Sequence, residues 1–170
     1  MTTKTNGKVA LFPGTFDPPS LGHLDIIKRA ADVCEKLYIG IAENVNKPSA
    51  LFSVEEKKVM LQEITKGIPR VEIISFQGLV IDWAAQHHID FIIRGLRAFS
   101  DFEYEFRMAL ANRKMSGIET VFLMSDGNYS HISSSLIREI ASFGHTLCDF
   151  VPAELEEAIH NRIIMRAKTV

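Results

Sequence analysis

The chain has 170 residues, 46% of them hydrophobic and 24% charged, with a formal net charge of −2 and a mean hydropathy of +0.07. That is enough chain to bury a real core, and too apolar a one for disorder. A near-neutral balance supplies no global field for nucleic acid or an anionic membrane, so any anion must be held by local cations. Cys34 and Cys148 show neither C-x-x-C nor metal-ligand spacing. Met1–Gly7 lacks the apolar stretch of a signal peptide, and no apolar run reaches membrane-spanning length. The expectation is one cytoplasmic domain over 1–170, with 1–7 as a flexible tail.

In chain order, Val9–Phe12 reads as a strand and is followed by Gly14–His23, a segment dense in turn formers. Leu24, Ile27, Ala31 and Cys34 then step along one stripe of a helix from Leu21, which gives Cys34 a reduced packing role. Leu37–Ala42 is a second strand, and Asn44–Ala50 a loop carrying Lys47. Ser53-Val54-Glu55-Glu56 is a capping box for a helix running to Thr65, ahead of Gly67 and Pro69. Val71–Phe76, Phe91–Ile93 and Thr120–Met124 complete the strands; Leu79–His87, Asp101–Met115, Ser134–Phe143 and Pro152–Ala167 complete the helices, with Gly144 at a C′ position. Ser125–His131 is a second loop.

The strand candidates are continuously apolar, as in strands covered on both faces, and they alternate with helices. The fold class is therefore α/β: one doubly wound, Rossmann-like domain with a parallel five-stranded sheet. Ligands in such domains sit at the carboxyl ends of the strands. The chemically interesting residues follow strands here: Gly14–His23, Lys47, Arg94-Gly95-Leu96-Arg97 and Tyr129–Ser135.

Gly14 permits a sharp turn and close approach of a phosphate, Pro18 and Pro19 stiffen the segment, and Gly22 leaves space. His23 falls in the first turn of the helix, where free N–H groups and the positive end of the dipole attract an anion. Arg94 and Arg97 can clamp phosphate oxygens, with Gly95 allowing a bend between them. Ser133-Ser134-Ser135 opens a helix with more hydroxyls than one N-cap needs, and suits a pyrophosphate cradle. Arg138 lies one turn further in and reads as structural. Lys47 is a solvated lysine or a cation for a transition state. Glu105 is a solvated helix residue or an acceptor for ribose hydroxyls. His87 and His88 read as structural or solvated, and His145 and His160 have no partner pattern. The chain carries no metal-site spacing, no G-x-x-x-x-G-K-[ST] loop and no G-x-G-x-x-G fingerprint.

The segments Pro13–Pro18 with Gly22-His23, Phe76–Val80, Ile93–Arg97, Asp101–Glu105, Val121–Met124 and Ser130–Ser135 together resemble the bacterial phosphopantetheine adenylyltransferase family. That family belongs to the nucleotidyltransferases with an (H/T)-x-G-H signature. The resemblance implies transfer of AMP from ATP, with Mg²⁺, to 4′-phosphopantetheine, giving 3′-dephospho-coenzyme A and pyrophosphate. It implies ATP contacts from Thr15, Phe16, His23, Gly95, Leu96, Arg97, Glu105, Tyr129, Ser130, His131, Ile132, Ser133, Ser134 and Ser135. It implies acceptor contacts from Thr15, Lys47, Val80 and Arg94, Val80 through its main chain. His23, Lys47 and Arg94 form the catalytic set, expected as three cations around the α-phosphorus. The family also implies homohexamers, in keeping with apolar residues on more than one face of Asp101–Met115. This chain departs from the family pattern at Pro19-Ser20-Leu21, at Pro48 and in a longer N-terminal tail. Two other readings stay open: a cytidylyl- or nicotinamide mononucleotide adenylyl-transferring relative, and a non-catalytic nucleotide sensor.

Overall fold

The computed structural model describes residues 7–43 and 50–167. Five parallel strands form one sheet: β1 (Val9–Gly14), β2 (Lys36–Glu43), β3 (Val71–Gln77), β4 (Phe91–Leu96) and β5 (Glu119–Met124), in the order β3-β2-β1-β4-β5. Six helices accompany them: α1 (Leu21–Val33), α2 (Val54–Ile64), α3 (Val80–Gln86), α4 (Phe99–Ser116), α5 (Ser134–Ser142) and α6 (Ala153–Ala167). The doubly wound α/β class expected from the alternation is the one observed. Each strand keeps its apolar run because both faces are covered. Ala10, Phe12, Ile39 and Ile93 pack in the core shared with α1, α2, α5 and α6, while Leu11 and Ile92 face Ile81 and Ala84 of α3 on the other side.

The strand order reverses between β1 and β4, and there the sheet opens. The two strands pair only at Ala10–Phe91 and Leu11–Ile92, whereas β1 and β2 stay in register from Val9–Lys36 to Gly14–Ile41. Pro13 has no N–H for a ladder, and its carbonyl accepts instead from Nη1 of Arg94 at 2.8 Å. The split between the C-terminal halves of β1 and β4 is the crevice in which a doubly wound sheet receives ligands.

Element ends differ from the sequence reading in one consequential place. β4 does not stop at Ile93 but runs on through Arg94, Gly95 and Leu96, which pair with Phe122, Leu123 and Met124 of β5. Arg94 and Gly95 are therefore strand residues and make no bend. Gly95 is small for a packing reason: a Cβ there would lie 3.1 Å from Cγ1 of Ile26, so its absence lets α1 approach the sheet. Likewise α4 starts at Phe99 rather than Asp101. No residue of α4 is buried, and Phe99, Tyr104, Phe106 and Leu110 are all exposed. No helix among the described residues is long and apolar enough to cross a membrane.

Candidate active site

The segment after β1 folds back on itself. Gly14 has no room for a side chain, since a Cβ would sit 2.8 Å from the ring of Phe16. The turn itself is made by Phe16, whose φ is 46°. This corrects the expectation that Gly14 supplies the turn: its role is to let the Phe16 ring lie beneath the segment. That ring is fully buried, edge-on to Phe12 at 5.7 Å and to His23 at 5.0 Å. Phe16, expected as an ATP contact, is buried as a whole residue and does not line the cleft; its side chain is part of the floor under His23.

Asp17, next in the chain, is 7% exposed. Its carboxylate accepts from the N–H groups of Leu51 (2.9 Å) and Phe52 (3.0 Å), with Lys57 at 3.4 Å and Arg138 at 3.6 Å. It thus pins the start of α2 and the N-terminal turn of α5 to the first motif. The Arg138 guanidinium also donates to the Asp17 carbonyl.

Ser20 caps α1, and His23 is the third residue of that helix. The His23 N–H donates to Ser20 Oγ at 3.2 Å, and the Ser20 N–H donates back to Nδ1 of His23 at 3.1 Å. This is a capping box with an imidazole in the place usually held by Glu or Gln. Because Nδ1 accepts, the neutral ring carries its proton on Nε2, which has no partner among the described residues. Burial, then the charges of Arg97 and Arg94, push the imidazole down from 6.5 to about 4. His23 is consequently neutral at pH 7: a directed Nε2–H donor, not one of three cations as expected.

Arg94 is also more committed than its position suggested. Its Nε and Nη2 bind both carboxylate oxygens of Glu105, at 2.7 and 2.6 Å, and Nη1 binds the Pro13 carbonyl. A guanidinium has five N–H donors, so two remain for a ligand. Glu105, read from the sequence as a solvated helix residue or an acceptor for ribose hydroxyls, is half of this two-point ion pair. Arg97 binds Asp101 (3.1 Å) and the Ile132 carbonyl (3.3 Å).

Ser133 caps α5 by accepting from Leu136 N–H at 3.1 Å, and Ser134 Oγ donates to the Pro18 carbonyl at 2.9 Å. The N-termini of α1 and α5 are thereby joined at the first motif, with the unpaired N–H groups of both first turns available to an anion. Between them and β4 lies a cleft of about 580 Å³, ample for a nucleotide. Thr15, His23, Arg94, Gly95, Arg97, Glu105, Ile132 and Ser133–Ser135 line it.

Other candidates stand away from that wall. Leu96 is 4% exposed in β4, and Val80 packs against the α3 side of the sheet. Tyr129 packs against the larger core, Ser130 donates to the Gly127 carbonyl, and the His131 ring meets Phe150 edge-on. Lys47 lies outside the described residues, as does the loop around it up to residue 49 and the tail up to residue 6. Sequence reasoning missed Asp17, Lys57, Asp101 and Tyr104 as cleft residues, and read Arg138 as structural. For Lys57 a signal existed: it shares a helical stripe with buried Leu61 and Ile64, where a lysine is out of place. Among the described residues, no group of three His, Cys, Asp or Glu side chains could hold a metal. Asp17, Asp101 and Glu105, the carboxylates in the cleft, are each engaged by a cation.

Comparison with known proteins agrees with this geometry. A family model described as cytidylyltransferase-like matches residues 11–140. A phosphopantetheine adenylyltransferase of Clostridium botulinum (strain Alaska E43 / Type E3) is 49% identical over 87% of this chain and 93% of its own length. One from Moorella thermoacetica is 47% identical over 91% and 97% respectively. Among solved structures, one described as a nicotinate-nucleotide adenylyltransferase from Vibrio parahaemolyticus superposes with a TM-score of 0.62, at 15% identity, over 89% of this chain and 97% of that one. That last likeness concerns the fold alone. Its sequence relatives and family model place the chain within the cytidylyltransferase-like nucleotidyltransferases, and it belongs to the phosphopantetheine adenylyltransferase family.

Proposed function

We propose that the chain transfers AMP from ATP to 4′-phosphopantetheine, producing 3′-dephospho-coenzyme A and pyrophosphate in coenzyme A biosynthesis. The observation that carries this reading is the Nε2–H of His23, held by the Ser20 capping box beside two helix N-termini in the switch-point cleft. The relatives named above supply the identity of the acceptor.

An acceptor phosphate monoester has its second pKa near 6, so at pH 7 it is largely a dianion and already nucleophilic. One of its oxygens bonds to the α-phosphorus as the bond from that phosphorus to the oxygen bridging to the β-phosphorus breaks. The electron pair leaves with pyrophosphate. No proton has to be removed from the acceptor, and the leaving group is a stable anion, so no general base is required. Catalysis then rests on in-line positioning and on donors aimed at charge gathering on the α-phosphoryl oxygens. His23 gives such a donor without having to be charged. The two remaining N–H groups of Arg94 and the ammonium of Lys47 are assigned to the acceptor phosphate and the reacting centre. Arg97 and the N-terminal turn of α5 are assigned to the departing pyrophosphate. Exchange of one phosphoanhydride for another makes the reaction readily reversible.

The cleft carboxylates are all paired, so they do not fit as a protein-held Mg²⁺ site, and we assign the ion to ATP, arriving on its phosphates. Localisation is assigned to the cytoplasm, where that substrate is found. The unburied aromatic and aliphatic side chains of α4 support a homo-oligomer, and the family resemblance a hexamer. Light scattering at micromolar concentration tests this, and a monomer would contradict it.

Pyrophosphate release measured with ATP or CTP against phosphopantetheine, glycerol phosphate and nicotinamide mononucleotide tests the proposed reaction. ATP with phosphopantetheine should be the productive pair. Turnover with another pair only would assign the chain to a neighbouring nucleotidyltransferase, and nucleotide binding without turnover would make it a sensor.

A further inference from the structure

Lys57 is a cleft residue that no step above uses. It sits on α2 in line with Leu61 and Ile64, is 6% exposed, and lines the cleft. A lysine almost never takes such a position without a charged partner. The partner present is Asp17 at 3.4 Å, and one carboxylate leaves part of an ammonium with three N–H donors unused.

The charge balance of the cleft points the same way. Among the described lining residues, Arg94 is matched by Glu105 and Arg97 by Asp101. Asp17 alone faces two cations, Lys57 and Arg138. The uncompensated positive charge of the cleft is therefore concentrated around Asp17. That location adjoins the start of α5, the turn assigned above to the departing pyrophosphate. Asp17 and Arg138 connect Lys57 to the start of α5, and the α2 residues that flank it pack in the same core as α1 and α5. Val80, the acceptor-side candidate, packs on the opposite face of the sheet.

We propose that Lys57 binds an oxygen of the terminal phosphates of the nucleoside triphosphate and of the pyrophosphate that leaves, with Asp17 holding the ammonium in place. The proposal rests on the nucleotidyl-transfer reading but is tested apart from turnover. Calorimetric titration of inorganic pyrophosphate into the wild-type protein, Lys57→Met and Lys57→Arg reads the contact directly. Loss of one charge-assisted hydrogen bond predicts about tenfold or greater weakening in Lys57→Met. Lys57→Arg, which keeps the charge, should stay within about threefold of the wild type. In turnover, KM for ATP should rise with the pyrophosphate constant while KM for phosphopantetheine holds within about twofold. Where Lys57→Met fails to fold, Lys57→Gln, which keeps a donor for Asp17, carries the same prediction. Wild-type protein that takes up no pyrophosphate, unchanged affinity in a folded neutral variant, or a loss confined to the acceptor would each overturn the assignment. Absence of wild-type turnover with ATP and phosphopantetheine would instead remove the reaction, leaving the pyrophosphate result to stand or fall separately.

Discussion

Gly14→Ala makes a sharp test of how the first motif is built. The added methyl would land 2.8 Å from Cζ and 2.9 Å from Cε2 of Phe16, closer than carbon atoms tolerate. The ring cannot swing aside, because it is fully buried and wedged between Phe12 and His23. Overpacking of this kind costs about 1–3 kcal/mol. In a chain of this size that corresponds to a fall in Tm of roughly 2–4 °C per kcal/mol. The displaced ring also presses on the imidazole, so kcat should fall with stability. Phe16→Leu removes ring volume at the same place and should be destabilising alone through the cavity it leaves. Combined with Gly14→Ala it should be less harmful than the sum of the two, a coupling of at least about 1 kcal/mol in a double-mutant cycle. Chemical denaturation and pyrophosphate-release rates on the four proteins measure both effects. Additive stabilities, or a Gly14→Ala enzyme with unaltered Tm and kcat, would refute the packing argument.

Two further predictions concern charge. The His23 imidazole is lowered to about 4 in the fold against 6.5 unfolded, so the unfolded chain binds a proton more readily. The resulting stability, on the order of 3 kcal/mol, is fully present above pH 6.5 and lost as pH falls through about 4. His23→Gln should flatten the stability curve in that window, and an unchanged curve would contradict the burial of a neutral ring. Glu105→Gln removes the charge from the pair held at 2.6 and 2.7 Å by Arg94, and should cost about 1–2 kcal/mol in urea unfolding at pH 7. No change would mean that the pair is fully screened by solvent.

Much of this was legible from periodicity. The strands announced themselves because helices on both faces demand unbroken apolar runs, and the Ser53 capping box marked α2 because the orphan N–H groups of a helix start need acceptors of that spacing. The end of β4 was not legible. Arginine and glycine count locally as loop residues, whereas Arg94–Leu96 are held extended by pairing with β5, a contact distant in sequence. For the same reason the sequence could offer Arg94 and Glu105 only as separate groups. Their meeting depends on how α4 leaves the sheet, which no local spacing encodes. The protonation state of His23 was not legible: a histidine is not the residue that marks a capping box, and the burial that lowers the imidazole is a tertiary property. The exposed apolar face of α4 was visible in the sequence as residues on too many sides of one helix, and the structure leaves them uncovered within the chain.

The most direct test of the central claim is the steady-state rate of pyrophosphate release from ATP and phosphopantetheine, compared between the wild-type enzyme and His23→Ala. A neutral, oriented Nε2–H at the α-phosphate predicts turnover by the wild type and a fall in kcat of at least ~10²-fold in the variant. A folded His23→Ala protein with near-wild-type kcat, or a wild-type protein without turnover, would contradict it.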